Sequence, residues 1–399
     1  MKLGLIREEK IPRDKRVALI PEQCKSMLLE HAGLSIFVQP SVHRCFEDSA
    51  YVLAGAILKE DLSECDVLLG IKEVPPQFLI PNKTYCFFSH TIKKQAYNKK
   101  MLQEVLKRNI SLMDYECMVW KGGGRVIGFG RFAGIVGAHN AIWTYANKSR
   151  KFSVPRAYQV DNLDELLKAF QGLSLPAVKI AVLGDGRVAH GAMELIEKIG
   201  VREVTSRAFI RDTFDVPVYV HLRIDHLYES KDHKPFDKAY FYHSPEQYFS
   251  VFYQYFQSTD ILINAIYWDE NIPVHFTLDQ MKSPDFNIQV IADITCDILG
   301  SIPCTVESTT IDNPVYGWDS QNELKTEPFL VETVDMMTIG NLPCELPKDA
   351  SEEFGELFCK YILPAFVNND SEGILKRATI TEAGQLTPSF NYLNDYVAG

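Results

Sequence analysis

Val178-Lys179-Ile180-Ala181-Val182-Leu183-Gly184-Asp185-Gly186-Arg187-Val188-Ala189 is the stretch that decides the fold of this chain. Its first six residues form a nearly continuous apolar run, as in a strand buried on both faces. Gly184-Asp185-Gly186 then permits a tight turn. After it, Met193, Ile196 and Ile199 recur one turn apart and stop at Gly200, as on a helix. The spacing fits G-x-G-x-x-G/A. Gly184 makes the turn, Gly186 lets backbone approach a pyrophosphate, and Ala189 lets helix and strand pack closely. Arg187 and Val188 open the helix, whose free N–H groups and partial positive charge suit a phosphate. A bare Gly-x-Gly is most simply an ordinary turn, but the strand before it and the helix after it favour a dinucleotide loop. His190 fits a first-turn surface residue better than a ligand.

Outward from this point both halves of the chain alternate strand and helix. In the first half residues 3–6, 34–38, 66–71, 84–88 and 110–113 read as strands, and 21–31, 49–58 and 99–107 as helices. In the second half residues 178–183, 261–265 and 288–292 read as strands. Such alternation predicts an α/β fold: two Rossmann-like doubly wound domains with a cleft between them. The predicted organisation is residues 1–130 with about 330–399 as a substrate domain, and about 131–329 as a dinucleotide-binding domain. It rests on a helix at 133–145 that leads from one domain to the other, and on an amphipathic helix at 352–366 that returns. Residues 216–256, rich in Tyr, His and Phe, read as an insertion or lid-like excursion.

The 399 residues exceed the length at which one core stops growing, about 250–300, and 46% hydrophobic content fills two cores. A formal charge of -11 repels phosphate polyanions, so the expected partners are small-molecule substrates, with no nucleic acid and no membrane. No apolar run approaches the roughly 20 residues that span a bilayer, and residues 1–12 have no signal-peptide core, so a cytoplasmic location is expected. Nine scattered cysteines without a CxxC pair predict reduced thiols and no metal site. Monomer and homo-oligomer stay equally open.

A dinucleotide fold expects an acidic residue about 20 positions past the glycine loop, at the end of the next strand, to hold a ribose hydroxyl. Glu203-Val204-Thr205 reads as that strand, followed by Ser206-Arg207. Serine and arginine suit a 2′-phosphate, so NADP(H) is favoured, with NAD(H) as the alternative.

In open α/β sheets ligands bind beyond the carboxyl ends of the strands. Lys72-Glu73, Ser89-His90-Thr91 and Asp114-Tyr115-Glu116 each follow a predicted strand, and Arg7 and Arg16 follow the first. Lysine and histidine can be tuned into acid and base near neutral pH. Each residue alone has an ordinary reading: a solvated strand-end lysine, a satisfied half-buried histidine, a surface acid. Their placement after adjacent strands is what singles them out. The glycine-rich run from Gly122 to Gly134 carries Arg125 and Arg131, a residue type that grips carboxylates bidentately. A hairpin leading into a helix, with surface arginines, is the simpler account of that run.

These segments resemble the alanine dehydrogenase and saccharopine dehydrogenase superfamily. The resemblance is stronger to lysine-forming saccharopine dehydrogenases, and strongest to the lysine–2-oxoglutarate reductase half of bifunctional aminoadipic semialdehyde synthases. It is carried by IREEKIPRDKRVALIPE, KTYCFFSHTIKKQ, MDYE, GRVIGFGRFAG, LGDGRVAHGA, YWDENIP, VIADITCD and NLPCELPKDAS, in order over nearly the whole chain. The resemblance implies that the ε-amine of lysine attacks the keto carbon of 2-oxoglutarate and that the resulting imine is reduced to saccharopine. It implies Lys72 and His90 as the acid–base pair, tuned by Glu73 and Glu116. It implies Arg16, Gln95, Arg125, Phe129 and Arg131 around the dicarboxylate. It further implies Gly186, Arg187 and Val188 at the dinucleotide, with Ile263 and Ala292-Asp293-Ile294-Thr295 near the nicotinamide. The family's ribose-binding Asp is absent, and Gly340 stands where relatives often carry Asp. The second enzyme half of the bifunctional relatives has no counterpart, so a separate chain is expected to process saccharopine. The competing expectations are an opine-type or alanine dehydrogenase with another amine or keto acid, which would lack the match around GRFAG, and a non-catalytic nucleotide-binding relative, which would not need Lys72 and His90.

Overall fold

The computed structural model describes residues 1–398. They form two compact units, Met1–Phe129 joined by the segment from Pro347 onward, and Gly130–Leu346.

The first unit is built on an eight-stranded sheet. From one edge its order is Gln385–Leu386, Thr379–Glu382, Ser111–Asp114, Thr84–Phe88, Val67–Lys72, Lys2–Leu5, Ser35–Val38 and Ile57–Leu58. The last six are parallel, and the first two are an antiparallel hairpin on the edge. Val67 to Ile71 are buried without a break, as a central parallel strand covered on both faces requires. Leu3, Leu69, Ile71, Phe354 and Phe358 fill the core on one face; Leu68, Tyr85, Phe87, Leu102 and Val105 fill it on the other. Helix Lys99–Lys107 forms because Met101, Leu102 and Val105 fall on one buried side. The helix read at 49–58 is shorter, Asp48–Leu53. Gly55 ends it with φ +91°, and Ile57–Leu58 adds an edge strand beside Phe37 and Val38. The late helix begins at Pro347, passes through a π-helical turn at Phe358–Ile362 and ends at Val367, burying Phe354, Phe358, Ile362 and Leu363 in the first unit.

The second unit has its own eight-stranded sheet, in the order Leu324–Thr326, Val315–Asp319, Val334–Met337, Val290–Asp293, Ile261–Asn264, Lys179–Leu183, Val218–Leu222 and Arg202–Glu203. From Val334–Met337 onward the strands pair in parallel, and Val315–Asp319 pairs antiparallel with both of its neighbours. Three expectations are corrected here. Residues 330–346 belong to this unit, because Val334–Met337 is a strand between Val290–Asp293 and Val315–Asp319. The neighbour of the glycine-loop strand is Val218–Leu222, and the segment read as that neighbour supplies only the two-residue edge strand Arg202–Glu203. The aromatic stretch is not a lid. Its start is that central strand, and Tyr228, Phe241, Tyr248, Phe252, Tyr255 and Phe256 are buried in the unit's core around the small ribbon Tyr228–Ser230 and Tyr248–Ser250.

The 20-residue helix Gly130–Ser149 lies in this second unit and packs on helix Arg187–Lys198, which leaves the glycine loop. A β-carbon on Gly134 would overlap the Val188 carbonyl, and one on Gly191 would overlap the Arg131 carbonyl. The helices therefore meet backbone to backbone. Alanine gains about 1 kcal/mol of helix propensity over glycine, but overpacking costs about 1–3 kcal/mol, and a backbone atom cannot swing away. Gly134→Ala is expected to lower stability in denaturant melts. Gly137→Ala, whose β-carbon would meet the flexible end of Ile294, should cost less. Equal effects would contradict the backbone contact.

Candidate functional site

In the first unit the register sets which side chains meet. Lys72, the last residue of its strand, pairs with Phe88, and Phe87 pairs with Asp114, so His90 and Glu116 lie two residues beyond neighbouring strand ends. The buried carboxyl of Asp114 braces these ends. It accepts from the Ser89 amide at 3.0 Å, the Ser89 hydroxyl at 2.5 Å and the Glu116 amide at 2.7 Å. Asn98 donates to the Ser89 carbonyl at 3.0 Å. Together they support His90 in the left-handed region, φ +52°. The His90 ring stacks on Phe88, and its Nδ1 is 3.8 Å from Glu116 Oε2, a charge contact too long for a hydrogen bond. Glu116 also pairs with Arg125. The approach of His90 and the charge of Arg125 hold the Glu116 carboxyl at about 2 despite its burial.

Lys72 is half-buried, and among the described residues no hydrogen bond or ion pair reaches its ammonium. Burial first, then the charge of Arg16, lowers its pKa; Asp14 and Glu73 pull the other way. Arg16 is buried and gripped bidentately by Asp14, Nε to Oδ1 at 2.9 Å and Nη2 to Oδ2 at 2.7 Å, with its guanidinium 4.1 Å over the Phe129 ring. Phe129 stacks on Phe354 at 4.6 Å. Burial penalises the Asp14 carboxylate, but the charge and hydrogen bonds of Arg16 outweigh it and hold Asp14 below the usual carboxylate range. Glu73 pairs with Lys10, not with His90. Gln95 joins this flank: Tyr97 donates to its Oε1 at 2.6 Å, and Lys10 lies over the Tyr97 ring. The structure thus brings Lys72, Glu73, His90, Glu116, Arg16, Gln95, Arg125 and Phe129 onto one unit. Arg131 falls on the other. There it forms a bidentate pair with Glu194, at 2.6 and 2.7 Å.

In the second unit Gly184 has φ +115°, and a β-carbon there would come 2.5 Å from the Ala265 carbonyl oxygen, so glycine is required. Nothing lies within 4 Å of where a Gly186 β-carbon would be, and no side chain caps helix Arg187–Lys198. Open space beside the first-turn N–H groups fits a dinucleotide phosphate. Ala189 is fully buried, as close packing demands. The ribose assignment to Ser206 and Arg207 is corrected by the sheet order. Thr205 caps a short helix there, beyond a strand that does not touch the glycine-loop strand. The position at the end of the true neighbour is His221-Leu222-Arg223. His221 Nε2 sits 2.7 Å from the Gly184 carbonyl, and Arg223 is exposed and held by Asp225 at 3.0 and 3.2 Å. Reading 216–256 as an excursion hid this strand. The alternation Val218-Tyr219-Val220-His221-Leu222 was the available signal. Ile263 and Ala292 are fully buried, and the Asp293 carboxylate accepts from Asn264, Thr295 and Thr305 at 2.9, 2.7 and 2.6 Å. These three lie at the carboxyl end of the sheet, and Ile294 and Thr295 stay half-exposed after it. Among the described residues no cluster could hold a metal ion, and no helix is long and apolar enough to cross a membrane.

Residues 4–136 match the family described as alanine dehydrogenase/PNT, N-terminal domain. The chain is 30% identical to the mitochondrial alpha-aminoadipic semialdehyde synthase of Mus musculus, over 98% of this chain and 47% of that protein. It is 27% identical to the saccharopine dehydrogenase [NAD(+), L-lysine-forming] of Emericella nidulans, over 90% of each. Thus it spans about half the length of the first relatives and nearly all of the second. An L-alanine dehydrogenase structure superposes with a TM-score of 0.66 at 14% identity, covering all of both chains, which shows the same two-sheet α/β fold.

The depressed Glu116 carboxyl has a consequence for stability. A carboxyl lowered from 4.5 to about 2 stabilises the fold fully above the unfolded value and loses that contribution as pH falls through about 2. The stability difference between wild type and Glu116→Gln should therefore be largest above about pH 5 and shrink on acidification, in melts across pH. A pH-independent difference would refute the charge contact.

Proposed function

Starting from its homology to lysine-forming saccharopine dehydrogenases, we propose that this chain is an oxidoreductase that condenses L-lysine with 2-oxoglutarate and reduces the product to saccharopine, reversibly. The observation that carries the reading is Lys72: an ammonium with no ion-pair partner among the described residues and a lowered pKa, one strand away from His90 and its Glu116–Arg125 support. A general acid–base pair at such a place serves imine chemistry. The attacking ε-amine must lose a proton, and the carbinolamine oxygen must gain one before water leaves. Lys72 and His90 share these transfers. Glu116 approaches the His90 ring and orients it, and Asp114 keeps both strand ends in register. Arg125, half exposed while paired with Glu116, meets a substrate carboxylate, with Gln95 on the other flank. Arg16 and Asp14 set the field around Lys72.

The dinucleotide, when bound, supplies hydride. Gly184, Gly186 and the first turn from Arg187 hold its phosphates. Arg223, with His221 behind it, takes a 2′-phosphate, so NADP(H) is favoured over NAD(H). Nine cysteines that form no disulfide among the described residues fit a reducing compartment, which supports a cytoplasmic location.

Lys72→Met and His90→Gln are expected to lower kcat by about 10²–10⁴-fold while NADPH affinity and melting temperature hold, because neither residue belongs to the glycine loop. Folded variants with full activity would refute the assignment. Separately, Arg223→Ala should weaken NADPH by about tenfold or more, the value of a charged hydrogen bond, and leave NADH binding unchanged in fluorescence titrations. Equal weakening of both cofactors, or a loss seen only with Arg207→Ala, would overturn the 2′-phosphate assignment.

A further inference from the structure

Glu8 has no role in the chemistry above, yet its carboxyl is buried where strand Lys2–Leu5 leaves the sheet. Leu5 is opposite Leu69, and the last main-chain bond on that side runs from the Ile6 amide to the Leu69 carbonyl at 3.0 Å. Past that point Glu8 takes over from the backbone. Oε1 accepts from the Ile71 amide at 2.7 Å, and Oε2 accepts from the Lys72 amide at 2.9 Å. In a regular strand successive residues face opposite ways, so one carboxylate reaches two consecutive amides only where the strand is irregular. The register shows that irregularity: Leu69 is opposite Cys86 and Lys72 opposite Phe88, three steps against two. Such bulges re-aim the side chain that follows.

We propose that Glu8 is the positioning residue of Lys72: its carboxylate, bridging the Ile71 and Lys72 amides, holds the bulge that aims the lysine. The inference rests on the reading of Lys72 as an acid–base group. Burial, then the charge of Asp14, pushes the Glu8 carboxyl up to about 8. The charged or titratable groups facing it are Asp14, Arg16, Lys72 and Tyr115. Below that pH a proton turns one acceptor into a donor directed at an N–H, so the bridge is complete only on the alkaline side.

Glu8→Gln keeps the volume but sets an amide donor against a backbone donor. Glu8→Asp keeps the charge but is one methylene short of both amides. Both are compared with wild type above about pH 8. The first readout is the pH profile of Lys72 acylation by acetic anhydride, followed by peptide mass spectrometry with exposed Lys107 as internal reference. Wild-type Lys72 should be modified at lower pH than Lys107, and in both variants its profile should move toward that of Lys107. The second is turnover with lysine and 2-oxoglutarate, where kcat should fall by about 10–100-fold, the cost of a misplaced reacting group, with KM and NADPH affinity unchanged. A Glu8→Gln profile and kcat like wild type would overturn the proposal, and so would full rescue by Glu8→Asp, which would make charge the only role. If Glu8→Gln does not fold, Glu8→Asp makes the same comparison. Wild type without turnover would sink the reaction reading alone, since the acylation profile still decides the role of Glu8.

Discussion

Parallel pairing is the constraint on which the rest of this molecule depends. Parallel strands all end on one side of their sheet, so Lys72, Phe88 and Asp114 are brought together by the ladder rather than by loop design. The three strands share their ladder bonds, and the two ending in Lys72 and Phe88 are buried on both faces over most of their length, which makes their ends stiff. A residue at such an end has a defined place, and His90 and Glu116 gain theirs from being two residues further on, braced by Asp114. The second unit applies the same rule to the glycine loop, which follows Leu183 between Val218–Leu222 and Ile261–Asn264.

The charges around the first site follow from the cost of burying ions. An isolated buried charge is expensive unless paired. Arg16 is paired with Asp14, Lys10 with Glu73, and Arg125 with Glu116. Lys72 is the exception, and burial answers by lowering its pKa. Functional lysines are tuned in this way, because a neutral amine near operating pH can take a proton. The paired neighbours matter too: Arg16 opposes the charged form of Lys72 and Asp14 favours it, so the pair moderates the shift.

What could be read from the chain was whatever is local. The strand–turn–helix at Lys179–Lys198 and the strands ending in Lys72, Phe88 and Asp114 are short-range patterns, and their boundaries fell within a residue or two of the structure. What could not be read was the order of strands, which depends on distant pairing. Arg202–Glu203 is too short to hold the place beside the glycine-loop strand, so Val218–Leu222 occupies it, and Arg223, rather than Ser206 and Arg207, follows the neighbouring strand. The pairing of Arg131 with Glu194 is another long-range contact, 63 residues apart in sequence. Nothing local in Arg7-Glu8-Glu9-Lys10 singles out Glu8, since its contacts with the Ile71 and Lys72 amides arise only where the chain leaves the sheet.

The central claim is that the site joins an amine to a keto acid and reduces the product with a nicotinamide. A panel of amines and keto acids, each pair supplied with NADPH or NADH and followed at the nicotinamide absorbance, tests it most directly. The account predicts oxidation that requires lysine and 2-oxoglutarate together, runs faster with NADPH and yields a product of the mass of saccharopine. Turnover with ammonia and pyruvate but not with lysine, or no turnover with any pair, would contradict it.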